Sequence, residues 1–177
     1  MSKTESAVFS VHIRGTIEAV WAEITQTARP QWAMYGTMLR IRGFEVGAAY
    51  QARSMDGEVV NHLGEILACE PPHLLQMSLR YTMYDDPPIT MTWELAEADE
   101  GGVHLTLTFD GLPPGSKTDT DVRGSGGGVF IANTVKQMVE NGRPSLSTRW
   151  MYRIAGWIGQ ERMLPKRCRS EHWPFEG

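Results

Sequence analysis

Three successive stretches of this chain place an apolar side chain at every second position. The first carries Leu75, Met77, Leu79 and Tyr81. The second carries Ile89, Met91, Trp93 and Leu95, and the third Val103, Leu105, Leu107 and Phe109. Polar residues take the alternate places, as His104, Thr106, Thr108 and Asp110 do in the third. Side chains point to opposite sides of a strand in turn, so each run has one apolar face and one wet face. Only "DDPP" and "DEGG" separate the runs, which favours hairpins and an antiparallel sheet. Such a sheet needs a cover for its apolar face.

The same period recurs upstream. Phe9, Val11 and Ile13 alternate with Ser10, His12 and Arg14, and "YGTMLRIRGF", "AAYQARSM" and "EVVNHLGEILACE" read as further strands. Asp56-Gly57 is a hairpin signal between the last two. Two segments have helical spacing instead. Ile17, Val20, Trp21 and Ile24 follow a capping Thr16, and Val129–Asn141 is stopped by Gly142 and Pro144. "LPPGSKTDTD" between the last strand and the second helix reads as a loop. The prediction is an α+β domain over residues 1–144. About six or seven antiparallel strands curve around the late helix, leaving a cavity between them, with a short helix after the first strand. Residues 145–177 form an extra helical tail.

"RGSGGGVF" opens the late helix. A phosphate-binding loop needs Lys-Ser or Lys-Thr after its last glycine, and Val129 and Phe130 stand there instead. A dinucleotide fingerprint needs a strand before it and a parallel strand after it, and neither is present. The glycines therefore read as a flexible loop leading into the helix.

Three motifs, in order, resemble one family. "IRGTIEAVWAEIT" is similar to its early segment at Val20, Trp21 and Thr25. "GEILACEPPHLL" is similar to its middle segment at Gly64, Ile66, Glu70, Pro71, Pro72 and Leu75. "GGVFIANTVKQMVENG" is similar to its final helix at Gly127, Val135, Lys136, Val139, Glu140 and Gly142. Residues 8–142 thus resemble the START-like or SRPBCC superfamily, the birch-pollen-allergen-like helix-grip fold. Within it they are most similar to the family related to the activator of the heat-shock protein 90 ATPase. The chain departs from the pattern at Gly128, where relatives carry tryptophan, and at Ala132, where they carry leucine. The missing volume predicts a larger cavity there, or a filling from elsewhere, with Trp150 and Trp157 of the tail as candidates.

The resemblance implies a cavity that takes an apolar molecule, such as a lipid, a polyketide or an aromatic compound. Some members are cyclases or dehydratases and others only bind. The expected lining follows from period two. Val60, His62 and Ile66 share one face of a strand, and Met77, Leu79 and Tyr81 continue it. Met91, Trp93, Leu105 and Leu107 extend the inner surface, and Ile131, Val135, Met138 and Val139 face it from the helix. Apolar rows equally fill a core. His62 is the candidate acid–base, because a histidine among apolar neighbours can titrate near neutrality. Tyr50, Arg53, Tyr81 and Asp110 are further polar candidates. No carboxylate pair or nucleophile accompanies His62 in sequence, so a binding protein is favoured over an enzyme, and no cofactor or metal is expected. A cyclase or dehydratase using His62 and a co-chaperone that activates a larger ATPase are the alternatives.

The charge is uneven. Residues 1–142 carry ten Lys/Arg and eighteen Asp/Glu, a net of −8, whereas residues 143–169 carry seven Lys/Arg and one Glu, a net of +6. An acidic body excludes the broad basic surface of a nucleic-acid binder. In the tail, Trp150, Met151, Ile154, Trp157 and Ile158 recur at helical spacing beside Arg149, Arg153 and Arg162. Such a helix can lie on a membrane, meet a second copy or partner, or pack back on the body. Its shortness favours the last two. Cys69 and Cys168 form no paired pattern and are expected as thiols. The N-terminus shows no apolar leader, which makes the cytoplasm the expected compartment.

Overall fold

The computed structural model describes residues 4–175. Seven strands form one sheet: β1 (Glu5–Ile13), β2 (Met38–Ile41), β3 (Ala49–Arg53), β4 (Val60–Glu70), β5 (Leu74–Tyr81), β6 (Ile89–Glu97) and β7 (Val103–Leu112). Their order is β1-β7-β6-β5-β4-β3-β2, and all neighbours are antiparallel. Strands β2 to β7 are a meander, and β1 returns to the far edge beside β7, pairing Phe9 with Leu107 and Ile13 with Val103. The sheet is curved, and the fold is the expected α+β helix grip.

Helix α1 (Ile17–Thr25) starts where Thr16 accepts a hydrogen bond from the Ala19 N–H, and it buries Ile17, Val20 and Ile24. The long helix runs from Gly128 to Asn141. Gly142 ends it in the left-handed region, at φ 67°, and donates its N–H to the Met138 carbonyl. A residue with a Cβ is disfavoured in that conformation. Ile131, Ala132 and Val135 pack into one core with α1 and with the inner rows of β5, β6 and β7.

The stretch read as a loop contains a helix, α2 (Lys117–Arg123); the long helix is therefore α3. Ser116 caps α2 by accepting from the Asp119 N–H at 3.0 Å. Asp86 accepts from the Thr118 N–H at 2.8 Å, and Tyr84 donates to Asp121. These contacts fasten α2 to the β5–β6 connection. Ser116→Ala is expected to cost about 1 kcal/mol of unfolding free energy in a urea titration. A loss of only a few tenths would show that the α2 start is held by its tertiary contacts instead.

The glycine run is a tight junction rather than a flexible loop. A Cβ on Gly127 would lie 2.2 Å from the Asp121 carbonyl oxygen and 2.3 Å from that of Val122, at the end of α2. A Cβ on Gly128 would lie 2.1 Å from the Phe9 ring. Phe9 of β1 thus fills the space expected to be a void, packed edge-on against Phe109 at 6.2 Å. The tail tryptophans do not fill it, since Trp150 is 63% and Trp157 88% exposed.

Helix α4 (Leu146–Ile158) begins at Ser145, whose side chain accepts from the Thr148 N–H at 3.1 Å. It rests on the body through Thr148 and Tyr152, and the Tyr152 hydroxyl donates to the Trp32 carbonyl at 2.9 Å. Beyond it the chain returns to the sheet. Val59 and Arg169 form a bridge, Cys168 is buried, and Arg167 pairs with Asp85 through both guanidinium nitrogens. Cys69 and Cys168 are both free thiols. Among the described residues no helix is long and apolar enough to cross a membrane.

Candidate functional site

The concave side of the sheet is nearly filled. The cavity between sheet and α3 measures about 20 Å³, bounded by His62, Met77, Met91, Trp93 and Val135 among the expected residues. Tyr50, Glu23, Gln31 and Met34 complete its wall together with Ile24, Ala33 and Leu39. That is room for about one water, whereas sites for small organic ligands span about 300–1,000 Å³. The other expected lining residues lie elsewhere. Ile66, Leu79, Leu105, Leu107 and Ile131 are core packing, and Val60 and Met138 are buried away from the cavity. Val139 is half-buried, with its methyl 2.7 Å from where a Cβ on Gly15 would stand.

His62 is buried between two tyrosines. The Tyr50 and Tyr81 rings meet it edge-on at 6.0 and 6.1 Å. Its Nδ1 lies 3.1 Å from Asn61 Oδ1, an acceptor that places the ring proton on Nδ1. Burial lowers its pKa to about 4, because the imidazolium would lose its hydration. The ring is therefore neutral at pH 7, with no proton to donate as an acid and little basicity. Glu23 shares the cavity wall, but Arg29 holds its carboxylate. The Tyr50 hydroxyl is engaged with the Ser78 carbonyl at 2.8 Å, and burial raises its pKa far above the usual phenol value. The Tyr81 hydroxyl lies 3.5 Å from that of Tyr35. Of the remaining polar candidates, Arg53 binds Gln51 and the Trp173 carbonyl near the sheet edge, and Asp110 accepts from Ser6. Neither joins His62.

A much larger space lies outside the grip. A cleft of about 650 Å³ separates α4 from the segment Pro30–Gly36 and the β3–β4 turn. Trp32 and Tyr152 form its apolar corner, with rings 5.3 Å apart in a T-shaped contact. Tyr152 fits there because Gly36, at φ 68°, has no side chain; a Cβ would come within 3.3 Å of the ring. Met55, Leu146 and Trp150 add apolar wall. Arg149 and Arg153, one turn apart on α4, provide positive charge, and Asp56 lies on the opposing turn. The Ser54 hydroxyl and the Glu58 N–H hold the Asp56 carboxyl below the usual carboxylate range. The sequence reading missed this cleft entirely. The one local signal was the aromatic in "RPQW", beside a proline that ends regular structure.

The profile of the family described as "Activator of Hsp90 ATPase homolog 1-like protein" matches residues 14–156. No curated protein gives a sequence match. Among solved structures, CalU16 from Micromonospora echinospora is similar with a TM-score of 0.58 at 20% identity, over 89% of this chain and 85% of that one. Protein MLL2253 from Mesorhizobium loti gives 0.62 at 18% identity, over 76% and 96%. The Aha1 dimer from Colwellia psychrerythraea gives 0.55 at 13% identity, over 78% and 98%. At these identities the structures speak for the fold alone. With most of its length matched by the family profile, this chain belongs to the Activator of Hsp90 ATPase homolog 1-like family, within the START-like superfamily of helix-grip folds.

Proposed function

We propose that the protein binds a small apolar molecule, and that it does so in the cleft under α4 rather than beneath α3. The observation that carries this reading is the contrast in space, about 650 Å³ outside the grip against about 20 Å³ inside it. Trp32, Tyr152 and Met55 supply apolar and aromatic surface, as small-molecule sites do. Arg149 and Arg153 favour a ligand that also carries an anionic group. A cyclase or dehydratase acting through His62 has less support, since its neutral ring faces room for one water.

Gly156 offers a direct test, because it lines the cleft and a Cβ there would meet nothing within 4 Å. Gly156→Trp is expected to obstruct the cleft beside Tyr152 without disturbing the fold. Two fluorescent probes are suited to it: the anionic anilinonaphthalene sulfonate and the neutral N-phenyl-1-naphthylamine. The chain should bind the anion more tightly, and Gly156→Trp should weaken both by about tenfold or more, near 1.4 kcal/mol. Unchanged probe binding in a folded Gly156→Trp variant would remove the cleft as the site.

A further inference from the structure

The outer face of α4 meets the cleft at one rim, where Leu146 and Trp150 belong to both, whereas Ile154, Trp157 and Ile158 lie outside the cleft wall. Leu146, Trp150, Ile154, Trp157 and Ile158 stand at i, i+4, i+8, i+11 and i+12, which makes one continuous stripe. All five are exposed. Apolar surface of this extent, gathered on one helix face, marks a contact surface. One border is cationic: Arg149 and Arg153 edge the stripe on its cleft side, and the helix contains no acidic residue. The whole segment 143–169 carries a net charge of +6, whereas residues 1–142 carry −8.

We propose that α4 docks the protein peripherally on an anionic lipid surface, lying in the interface with its stripe inserted. Charge selects the occupant. An apolar stripe edged by arginines matches anionic headgroups above acyl chains. Tryptophan belongs at that boundary, because its ring is apolar and its N–H is polar. The acidic body is repelled by the same surface, so the field orients the molecule with α4 toward the lipid. With 13 residues the helix is too short to span a bilayer, and it acts from one side. A helix this short needs a second signal for stable docking, and the basic segment supplies it. Arg167 is excluded from that role by its pairing with Asp85, which leaves Arg143, Arg149, Arg153, Arg162, Lys166 and Arg169. A second copy suits the face less well. Stripe-on-stripe contact would gather the arginines of both copies with no carboxylate on either helix.

The inference does not depend on a ligand in the cleft, and Gly156→Trp should leave it intact. Flotation of the full chain with vesicles tests it. Vesicles of phosphatidylcholine with phosphatidylserine should carry the protein about tenfold better than phosphatidylcholine alone, and added salt should weaken the association. Ile154→Ala with Trp157→Ala, both outside the cleft wall, should reduce flotation by about tenfold or more. The two side chains are exposed, so the fold should persist by circular dichroism. Arg149→Gln with Arg153→Gln should reduce flotation and flatten the salt dependence. Absence of flotation with phosphatidylserine at low salt overturns the proposal. So does flotation that ignores the Ile154 and Trp157 double variant. A dimer in sedimentation that the same variant turns into monomer would assign the face to a second copy and overturn it as well.

Discussion

Gly64→Ala is expected to lower the unfolding free energy by about 3 kcal/mol, the upper range for forcing extra volume into a packed site. Gly64 lies on β4 opposite Tyr50 of β3. A Cβ there would stand 2.0 Å from the Ser78 carbonyl oxygen and 2.7 Å from its carbon. Both are backbone atoms of the neighbouring strand, so the strand must move rather than a side chain. The same carbonyl accepts the Tyr50 hydroxyl, which crosses β4 at the level of Gly64. The Ser78 hydroxyl accepts from the Glu65 N–H at 2.9 Å. Displacing β5 therefore disturbs two more hydrogen bonds and the ring that packs on His62. Gly126→Ala is the control, because a Cβ there would meet nothing within 4 Å. It should change stability by no more than about 0.5 kcal/mol. The check is a urea titration in which the midpoint moves and the slope does not. A loss at Gly64 below about 1 kcal/mol would mean that β4 and β5 separate there at little cost.

The strands were legible because each lies on a sheet with one covered face, so burial and period coincide. Met77, Met91 and Leu105 fall inward as their alternation requires. The caps of α1 and α3 were legible for the same local reason. Helix α2 was hidden because "PPGSKTDTD" has loop composition and little helix propensity. Its signal was the pair Ser116 and Asp119, a capping arrangement that composition overshadowed.

The site was less legible, for two physical reasons. Whether a covered sheet encloses a cavity depends on summed side-chain volumes across elements. Phe9 entering the Gly128 space shows how a residue more than a hundred positions away decides that. The second reason concerns α4. Its periodicity located a helix, and the larger apolar side would ordinarily be the one to turn inward. The inner side instead holds Thr148, Tyr152 and Gly156, while Trp157 faces out and Trp150 stays largely exposed at the cleft's rim. Tyr152 fits because Trp32, Gly36 and a free carbonyl converge on it, and those come from a segment 120 residues upstream. No local pattern carries such information.

Acid should expose the cost of burying His62. In the unfolded chain its pKa is that of ordinary histidine, 6.5, and in the fold it is about 4. Between those values the unfolded state binds a proton that the native state refuses. Stability is therefore fully present above pH 6.5 and falls as pH drops toward 4. The shift corresponds to about 3 kcal/mol across the window, with about 2 kcal/mol already lost near pH 5. The carboxylates Asp56, Asp85, Asp119 and Glu140 also have pKa values below their unfolded ones, through hydrogen bonds and ion pairs. Their contributions follow the same sign but lie lower, because unfolded carboxylates titrate near 4. The interval from pH 6.5 to 5 thus belongs mainly to His62. His62→Phe keeps an aromatic ring between Tyr50 and Tyr81 and removes the titration. Unfolding free energies measured by urea at several pH values should slope steeply in the parent chain across that interval and be nearly flat in the variant. Equal slopes would mean that His62 is hydrated in the folded protein, and that the space beside it admits more water than its volume allows.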